Sequence, residues 1–579
     1  MKRCPQCNRV ETDEVLKFCR VDGATLVSDS SAFHSEAGTA QLGAESASTE
    51  IDTSILPHRK DADTSRPTSP TTLLPAQSTA GASHELRKPK QRWTILAAGA
   101  VIVVAIVSTA YFYLSGRSSP VINSMAVMPF VNESGNQDLE YLSDGMTETL
   151  ISALSQIPNL SVKARSSVFF YKGKEVTPKK IGEELGVQTV LLGRVAQRGD
   201  DLRLSLELVN AQTQDVLWSE TYHRKQSELV SLQSEIARDV SSKLKSRLSS
   251  ADAAKLEKKY TDNPEAYQLY LKGKFYWNKR TGGSLKQATA FYQQATEKDP
   301  NYALAYSGLA ETYVLFSSYD VAPADDSMPQ AKAAALRALA IDDSLAEAHT
   351  ALGFYLSDYE WDREGSEKEY RRAIELKPNY ATAHHWLGAD LSNIKRFDDS
   401  LYELRRAEEL DPLSPIIGTN LGDTLVFAHR YDEAIAEYKR TLVRDPNFAS
   451  AHQSLGSAYG LSGRYPEAIA ETRTAVELNK APARKGYLGL WLAKSGNRQE
   501  ALKLLSELKQ ESSQNYVQSY SFALIYIGLG DKEEALNWLE KEVLGRSERA
   551  SSFAVAPELD GLRSEPRFKA MLKRMNLPE

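Results

Sequence analysis

Four patterns of hydrophobic and polar residues follow one another along the 579 residues. Residues 27–91 show neither a helical nor a strand period and are rich in Ser, Thr, Ala, Pro and Gly, which predicts a disordered linker. Residues 92–115 are apolar, with no charged side chain between Arg92 and Arg117. Residues 120–250 alternate short apolar runs with amphipathic stretches, which predicts a small α/β domain. Residues 264–579 show a helical period throughout, which predicts an all-α region.

The apolar segment is long enough for one transmembrane helix, because a bilayer core takes about 20 residues of helix. Trp93 at one end and Tyr111 to Tyr113 at the other suit the two membrane interfaces. Basic residues precede the segment at Arg87, Lys88, Lys90 and Arg92, whereas only Arg117 follows it closely. The positive-inside rule therefore predicts an inner-membrane protein with a cytoplasmic N-terminus and periplasmic C-terminal domains.

Within the α/β region, helical spacing is clearest from Asp138 to Ile157, where Leu142, Met146 and Leu150 recur on one face. The other predicted helices are Pro178 to Leu185 and Glu228 to Leu248. The predicted strands are Met125–Phe130, Leu160–Ala164, Thr189–Gln197, Leu202–Asn210 and Val216–Tyr222. Asp144 and Glu148 lie four residues apart, as acid/base carboxylates do, but solvated residues of like charge are commoner.

The phrases AVMPFVNESGNQDLEYLSDGMTETL and IGEELGVQTVLLGRV resemble the TolB-N-terminal-like (FlgO-like) domain. In bacteria that domain commonly stands between a membrane helix and TPR repeats. The family includes membrane-anchored regulators with a cytoplasmic winged helix, nucleotide cyclase or protein kinase. The resemblance implies a periplasmic binding or sensing module and carries no catalytic residues over to this chain.

A 34-residue period governs residues 264–579. Its markers are Pro378, Pro412 and Pro446, Gly388, Gly422 and Gly456, and Ala434 with Ala468. Proline ends a helix, while Gly and Ala let paired helices approach closely. This period is typical of tetratricopeptide (TPR) repeats, and the phrase YDEAIAEYKRTLVRDPNFASAHQSLGSAY resembles them closely. We expect about eight repeats and a C-terminal capping segment.

The first helices of stacked TPR repeats line a concave groove that suits a peptide or protein ligand. The predicted groove residues are Phe354, His385, Asn393, Asp423, Phe427, Gln453, Tyr487 and Trp491. Some of them could instead pack between repeats. His349, His384 and His452 share one repeat position, so the repeat predicts packing residues rather than metal ligands.

All three cysteines of the chain lie within its first two dozen residues. Cys4 and Cys7 form a C-x2-C knuckle, Cys19 follows, and Asp22 stands where a fourth cysteine is usual. Residues 1–26 therefore resemble a short zinc ribbon, in which these four side chains would hold a structural Zn²⁺. The alternative is a ribbon-like segment that no longer binds zinc and has free thiols. His34 is a less favoured fourth ligand.

The net charge of −6 gives no sign of a nucleic-acid partner. The sequence contains no recognisable nucleophile–base pair or phosphate loop, which argues against an enzyme. We therefore expect a membrane-anchored protein–protein interaction scaffold that presents a TPR groove outside the cytoplasm. The alternative is a transmembrane signalling or transcription-regulator-like sensor with a cytoplasmic zinc-ribbon output. The oligomeric state stays open.

Overall fold

A computed structural model describes residues 122–136, 139–157, 159–244, 258–319 and 321–579, together with three short strands near the N-terminus. The chain divides into two compact units, residues 1–105 and 106–579. The first contains an antiparallel sheet of strands β1 (Lys2–Arg3), β2 (Val10–Glu11) and β3 (Val27–Ser28), in the order β2-β1-β3.

Several predicted features lie outside the described residues. They are the zinc ligands Cys4, Cys7, Cys19 and Asp22, the linker after Ser28, and the apolar helix of residues 92–115. The first two residues of the predicted linker, Val27 and Ser28, form strand β3 instead. Among the residues that are described, no helix is both long and apolar enough to cross a bilayer.

The α/β domain is built on one mixed sheet with the strand order β6-β4-β7-β8-β9, and β5 also pairs with β7. Strands β4, β5 and β6 run parallel to their neighbours, and β7, β8 and β9 form an antiparallel meander. The strands are β4 (Ser124–Val127), β5 (Val131–Asn132), β6 (Ser161–Val162), β7 (Thr189–Arg198), β8 (Asp201–Asn210) and β9 (Val216–Lys225).

Four helices accompany the sheet: α1 (Glu140–Leu154), α2 (Arg165–Phe169), α3 (Pro178–Leu185) and α4 (Leu229–Lys243). Helix α3 begins after the N-cap Thr177 with a proline in its first turn and ends at Gly186, whose φ of 65° suits glycine. Helix α2 had no counterpart in the sequence prediction, because five residues are too few to show a period.

Sixteen helices over residues 264–544 form eight antiparallel pairs in the described part of the chain, and we number these pairs as repeats 1 to 8. Repeats 1 to 4 are α5 (Pro264–Trp277) with α6 (Gly282–Lys298), α7 (Ala303–Tyr313) with α8 (Ala324–Ile341), α9 (Ala346–Tyr355) with α10 (Arg363–Leu376), and α11 (Ala381–Asn393) with α12 (Phe397–Leu410). Repeats 5 to 8 are α13 (Pro415–Phe427) with α14 (Tyr431–Arg444), α15 (Ala449–Leu461) with α16 (Tyr465–Leu478), α17 (Pro482–Lys494) with α18 (Arg498–Glu511), and α19 (Ser519–Leu529) with α20 (Lys532–Leu544).

Beyond repeat 8 the chain forms short 3₁₀ turns at Glu548–Ser552 and Pro557–Leu562, and then helix α21 (Pro566–Arg574). We call residues 545–579 the C-terminal cap. Phe553 and Phe568 are fully buried within it and stack at 6.2 Å between ring centroids. The cap therefore covers the apolar face of the last repeat, as a solenoid requires.

Each repeat is held together by a close approach of its two helices. In repeat 5, a Cβ at Gly422 would come within 2.3 Å of the Tyr438 ring, so the glycine makes room for the tyrosine. The turn between the two helices carries a left-handed residue at the same place in most repeats. These residues are Arg280, Lys395, His429, Gly463, Gly496 and Gly530.

Repeat 3 departs from this pattern. A π-helical turn, Leu356–Glu360, extends α9, and Trp361 then adopts a φ of 59°. In repeat 2, α8 begins at Ala324 and contains Pro329.

The α/β domain and the first repeats share one hydrophobic core. Leu142 and Leu150 of α1 belong to the same buried cluster as Tyr267 and Leu271 of α5. At Gly145 a Cβ would lie 2.9 Å from the side chain of Leu271, so α1 and α5 pack at very short range. The small domain is thereby fixed against the solenoid.

Candidate functional site

The solenoid closes on itself through its C-terminal cap. Arg546 stacks over the rings of Tyr359 and Trp361 at 4.8 and 4.9 Å, and its guanidinium donates a hydrogen bond to the backbone oxygen of Tyr359. Asn576 Nδ2 donates to the backbone oxygen of Trp361 at 3.2 Å. Lys395 Nζ donates to the backbone oxygen of Glu579 at 2.7 Å. The cap thus joins the end of the array to repeats 3 and 4.

The α/β domain contacts the loops that connect repeats 3, 4 and 5. Ser166 and Ser167 both donate hydrogen bonds to the buried carboxylate of Asp411. Lys163 Nζ donates to the backbone oxygen of Glu409 at 2.6 Å, and Asn379 Nδ2 donates to that of Leu160 at 2.8 Å. These polar contacts supplement the apolar contact of α1 with repeat 1.

A cavity of about 1580 Å³ lies between these contacts and is lined mainly by the first helices of the repeats. We call it the channel. Six of the predicted groove residues line it: Phe354, His385, Asn393, Asp423, Phe427 and Gln453. Side chains of the α/β domain, among them Glu148 and Arg165, form another part of its wall.

The structure places the other two predicted groove residues outside this lining. Trp491 is 1% exposed, and a Cβ at Gly460 of the preceding repeat would come within 2.4 Å of its ring. The small residue opposite lets the indole enter the contact between repeats 6 and 7. Tyr487 is buried beside the cap, with its hydroxyl 3.3 Å from Glu558 Oε1.

Aromatic and amide side chains dominate the middle of the channel. Phe354 meets Trp386 edge to face, with 5.0 Å between ring centroids. His385 Nε2 lies 2.9 Å from Asn420 Nδ2. Burial lowers the pKa of His385 to about 4, and the charge of Arg280 adds to this effect. The imidazole is therefore neutral at physiological pH, and Nε2 accepts the proton of the amide.

Carboxylates of the channel are held by hydroxyl groups and cations. Burial raises the pKa of Asp423, while the Tyr438 hydroxyl, which donates to Asp423 Oδ1 at 2.6 Å, opposes the rise. Glu311 Oε1 accepts a hydrogen bond from the Tyr380 hydroxyl at 2.9 Å, and Lys274 Nζ lies 3.7 Å from Glu311 Oε2. The inner surface is thus a mixture of aromatic, amide and charged groups.

Asp144 and Glu148, expected from the sequence to be solvated, are partners in buried networks. Asp144 is 4% exposed and pairs with Lys172 at 2.5 Å. Glu148 lies 3.4 Å from Lys274 Nζ and accepts a hydrogen bond from Asn278 Nδ2 at 2.6 Å. The solvated interpretation is wrong because α1 packs against repeat 1, a contact that the local sequence does not reveal.

The three in-register histidines each join the two helices of their own repeat. His349, His384 and His452 place Nδ1 at 2.6, 2.6 and 2.7 Å from Glu369, Glu403 and Glu471 respectively. Each Nε2 faces a backbone oxygen six residues earlier. Across the described ranges no group of three or more His, Cys, Asp or Glu side chains is arranged to hold a metal ion.

Sequence reasoning missed Arg165, Arg280, Trp386 and Asn420, all of which line the channel. Trp386 and Asn420 lie in first helices, so the repeat frame could have found them. Arg165 and Arg280 lie outside those helices, and no periodic signal marks them.

Fold, repeat spacing and channel define a class: the chain is a multidomain TPR protein with a small α/β domain and a C-terminal helical solenoid. Two tetratricopeptide-repeat family models match residues 419–483 and 519–541. Residues 122–239 match the model described as HilA/YgeH-like transcriptional regulator, second domain. The α/β domain is therefore similar to that regulator domain, and the TolB-N-terminal-like resemblance stays a prediction.

One curated relative is the putative adenylate cyclase 3 of Rhizobium meliloti (strain 1021), 32% identical over 252 residues. The match covers 43% of this chain and 42% of that protein, so the chain spans less than half of the relative's length.

Among solved structures, Pseudomonas aeruginosa PilF is 22% identical, with 38% of this chain and 96% of that chain covered and a TM-score of 0.29. YrrB, titled a TPR protein with an unusual peptide-binding site, is 21% identical, with 33% and 92% covered and a TM-score of 0.24.

Proposed function

We propose that this chain is a membrane-anchored scaffold whose channel binds an extended segment of a partner protein. The channel is the observation that carries the proposal. Its volume of about 1580 Å³ exceeds the roughly 300–1,000 Å³ of a small-molecule pocket. Aromatic rings such as Phe354 and Phe427 suit side-chain anchoring, and amides such as Asn393 and Gln453 suit hydrogen bonds to a peptide backbone.

Two properties of the site favour binding over catalysis. The buried carboxylates Asp423 and Glu311 are each engaged by a tyrosine hydroxyl, and His385 is engaged by Asn420. The side chains best suited to general acid or base work thus hold the walls together. TPR solenoids are in general binding modules, and we propose that this one is not an enzyme.

Membrane anchoring by residues 92–115 is part of the proposal and rests on sequence. The α/β domain and the solenoid would then lie on the periplasmic side of the inner membrane, with residues 1–91 in the cytoplasm. Protease treatment of spheroplasts tests this orientation. Digestion of the solenoid with survival of an N-terminal tag supports it, and survival of both parts contradicts it.

A structural zinc ion on Cys4, Cys7, Cys19 and Asp22 is proposed for the N-terminal segment. Metal analysis of the purified full chain should give one zinc per molecule. The Cys7→Ser variant should lose it, while Ser28→Ala should retain it. A native chain without zinc would favour the ribbon-like segment with free thiols.

A regulatory role is the second candidate, and the match to the HilA-like regulator domain favours it. The match to a putative adenylate cyclase gives this alternative some further support. In this version the channel senses a partner, and residues 1–26 act in the cytoplasm. Deletion of residues 1–26 should then abolish a transcriptional response while leaving partner capture intact, whereas a pure scaffold would show no such response.

Affinity capture from membranes with the full chain as bait tests the binding function. The comparison variant is Phe427→Ala combined with Gln453→Ala, since both side chains line the channel. The control is Tyr402→Ala, whose side chain is 72% exposed and lies outside the lining. A partner retained by the native chain and the control but lost by the double variant supports channel binding. Equal capture by all three refutes it.

A further inference from the structure

Two arginines line the channel where the α/β domain contacts repeat 1, and the charge of Arg280 acts on Arg165. Arg165 is the first residue of α2. Arg280 lies in the turn between α5 and α6. Glu148 contacts groups beside both arginines. Arg165 Nε lies 3.2 Å from Glu148 Oε2. Asn278, two residues before Arg280, donates a hydrogen bond to the same oxygen at 2.6 Å.

Each guanidinium is stacked on an aromatic ring of its own domain. Arg165 Cζ lies 3.7 Å from the centroid of Phe169, and Arg280 Cζ lies 3.7 Å from that of Trp277. Within the described residues neither guanidinium donates a hydrogen bond, and Arg165 Nε is buried without one despite its proximity to Glu148. Stacking fixes the planes of the two groups. The Nε edge of Arg165 faces Glu148, whereas the terminal N–H groups of both arginines are available to a ligand.

The charged side chains around the two arginines, counted together with them, balance. Lys274 is a third cation, and the facing carboxylates are Glu148 and Glu311. Asp144 also acts on Arg165, and Lys172 Nζ lies 2.5 Å from the carboxylates of both Asp144 and Glu140. His385 is neutral, as its lowered pKa shows.

The repulsion between the two arginines is unfavourable without a ligand. Burial lowers the pKa of Arg165, and the charge of Arg280 adds to that lowering, while Glu148 and Asp144 oppose it. Two like charges in a partly dehydrated site repel each other unless an anion lies between them. Such a pair is therefore better matched to an occupied site than to an empty one.

We propose that Arg165 and Arg280 together bind a carboxylate of the peptide segment that occupies the channel. The guanidinium fork matches the two oxygens of a carboxylate, and a single negative charge adds least to the carboxylates already present. A doubly charged phosphate would leave a larger net negative charge beside Glu148 and Glu311 than a carboxylate would. The inference rests on the proposed function and deepens it, because one arginine comes from each domain. A bound peptide would then strengthen the contact between the α/β domain and the solenoid.

The test uses the purified full chain and pools of short random peptides. One pool has a free C-terminal carboxylate and no Asp or Glu. A second is amidated at the C-terminus but contains Asp and Glu, and a third is amidated and contains neither. The native chain should retain one or both carboxylate pools about tenfold better than the neutral pool. Comparison of the first two pools identifies a terminal or a side-chain carboxylate.

Arg165→Gln and Arg280→Gln should each abolish this preference while leaving retention of the neutral pool unchanged. Arg280→Lys, which keeps the charge, should retain part of it, and the surface variant Arg371→Gln should behave as the native chain. Unchanged retention of the neutral pool also shows that a variant is folded.

Equal retention of all three pools by the native chain overturns the carboxylate site but leaves channel binding intact. Retention of none overturns the proposed function as well. Stronger retention of an added phosphoserine pool also overturns the carboxylate assignment.

Discussion

His349 Nδ1 lies 2.6 Å from Glu369 Oε2, while Nε2 of the same ring lies 3.0 Å from the backbone oxygen of Asp343. Both neighbours are hydrogen-bond acceptors, so the ring satisfies both only when it carries two protons. Burial alone would lower the pKa of His349, but the hydrogen bonds to Glu369 and Asp343 outweigh it and raise the pKa. The contact between His349 and Glu369 therefore holds α9 and α10 together most strongly when the imidazole is protonated.

The His349 pair should make stability depend on pH. Because the folded pKa is raised, its contribution is complete below the unfolded value near 6.5 and is lost as pH rises through the folded pKa. His349→Gln should lower the free energy of unfolding by about 1–2 kcal/mol at pH 5.5 and by less at pH 9. Chemical denaturation at both values measures this, with the exposed His223→Gln as control. A penalty that grows with pH would contradict the imidazolium.

Asp358, where the cap contacts repeat 3, should also make stability fall as pH rises. Burial and the neighbouring carboxylate of Glu548 raise its pKa from 3.8 to about 8. A raised carboxyl pKa means that stability falls as pH increases from about 4 to 8. Asp358→Asn should therefore exceed the native chain in free energy of unfolding by about 1–2 kcal/mol at pH 8 and match it near pH 4. The control Asp262→Asn, at an exposed site, should leave the free energy of unfolding unchanged at both pH values. If Asp358→Asn lowers the free energy of unfolding equally at pH 4 and pH 8, the argument is refuted.

Gly463 tests the left-handed turn of the repeats. Its φ is +77°, and a Cβ there would meet no atom within 4 Å, so only the backbone conformation opposes a side chain. Gly463→Ala should lower the free energy of unfolding by about 1 kcal/mol. Gly561→Ala is a matched control, because that site is equally open but has no left-handed φ. Equal stability of the two variants would show that the turn relaxes without cost.

Arg546 tests the closure of the solenoid. Arg546→Ala removes the stacking on Tyr359 and Trp361, and should lower the free energy of unfolding by about 1–2 kcal/mol. Hydrogen exchange should become faster both in the cap and around residues 357–363. Arg498→Ala removes a similar arginine contact, to the backbone oxygen of Leu529, between neighbouring repeats only. If exchange rises in the cap alone, the cap does not hold repeat 3.

Local periodicity carried most of the fold prediction. The positions of Pro412, Gly422 and Ala434 define a repeat whose two helices the structure places at Pro415–Phe427 and Tyr431–Arg444. Helix α3 was predicted with its observed bounds because Pro178 and Gly186 mark its two ends. These features depend on neighbours within one repeat or one helix, and sequence spacing records such neighbours.

Contacts between distant segments were beyond sequence reasoning. Arg546 and Tyr359 are 187 residues apart, and no pattern marks their meeting. Glu148 was expected to be solvated because charge alone argues for water, yet α1 buries it against repeat 1. Trp491 was assigned to the groove by repeat phase, but Gly460 opposite admits its ring between repeats. The position in the repeat predicts which face of a helix a residue lies on. The size of the residue opposite decides whether a large side chain faces the channel or packs between repeats.

The closure by the C-terminal cap has a consequence for how the array comes apart. An open solenoid unravels from its ends, because each terminal repeat has a single neighbour. Here repeat 1 is fastened to the α/β domain, and the cap beyond repeat 8 is fastened to repeats 3 and 4. Both ends of the array are therefore held by other parts of the chain, and the array should unfold as one cooperative unit. A segment bound in the channel would then contact parts of the chain that unfold together, so its binding would stabilise the whole array.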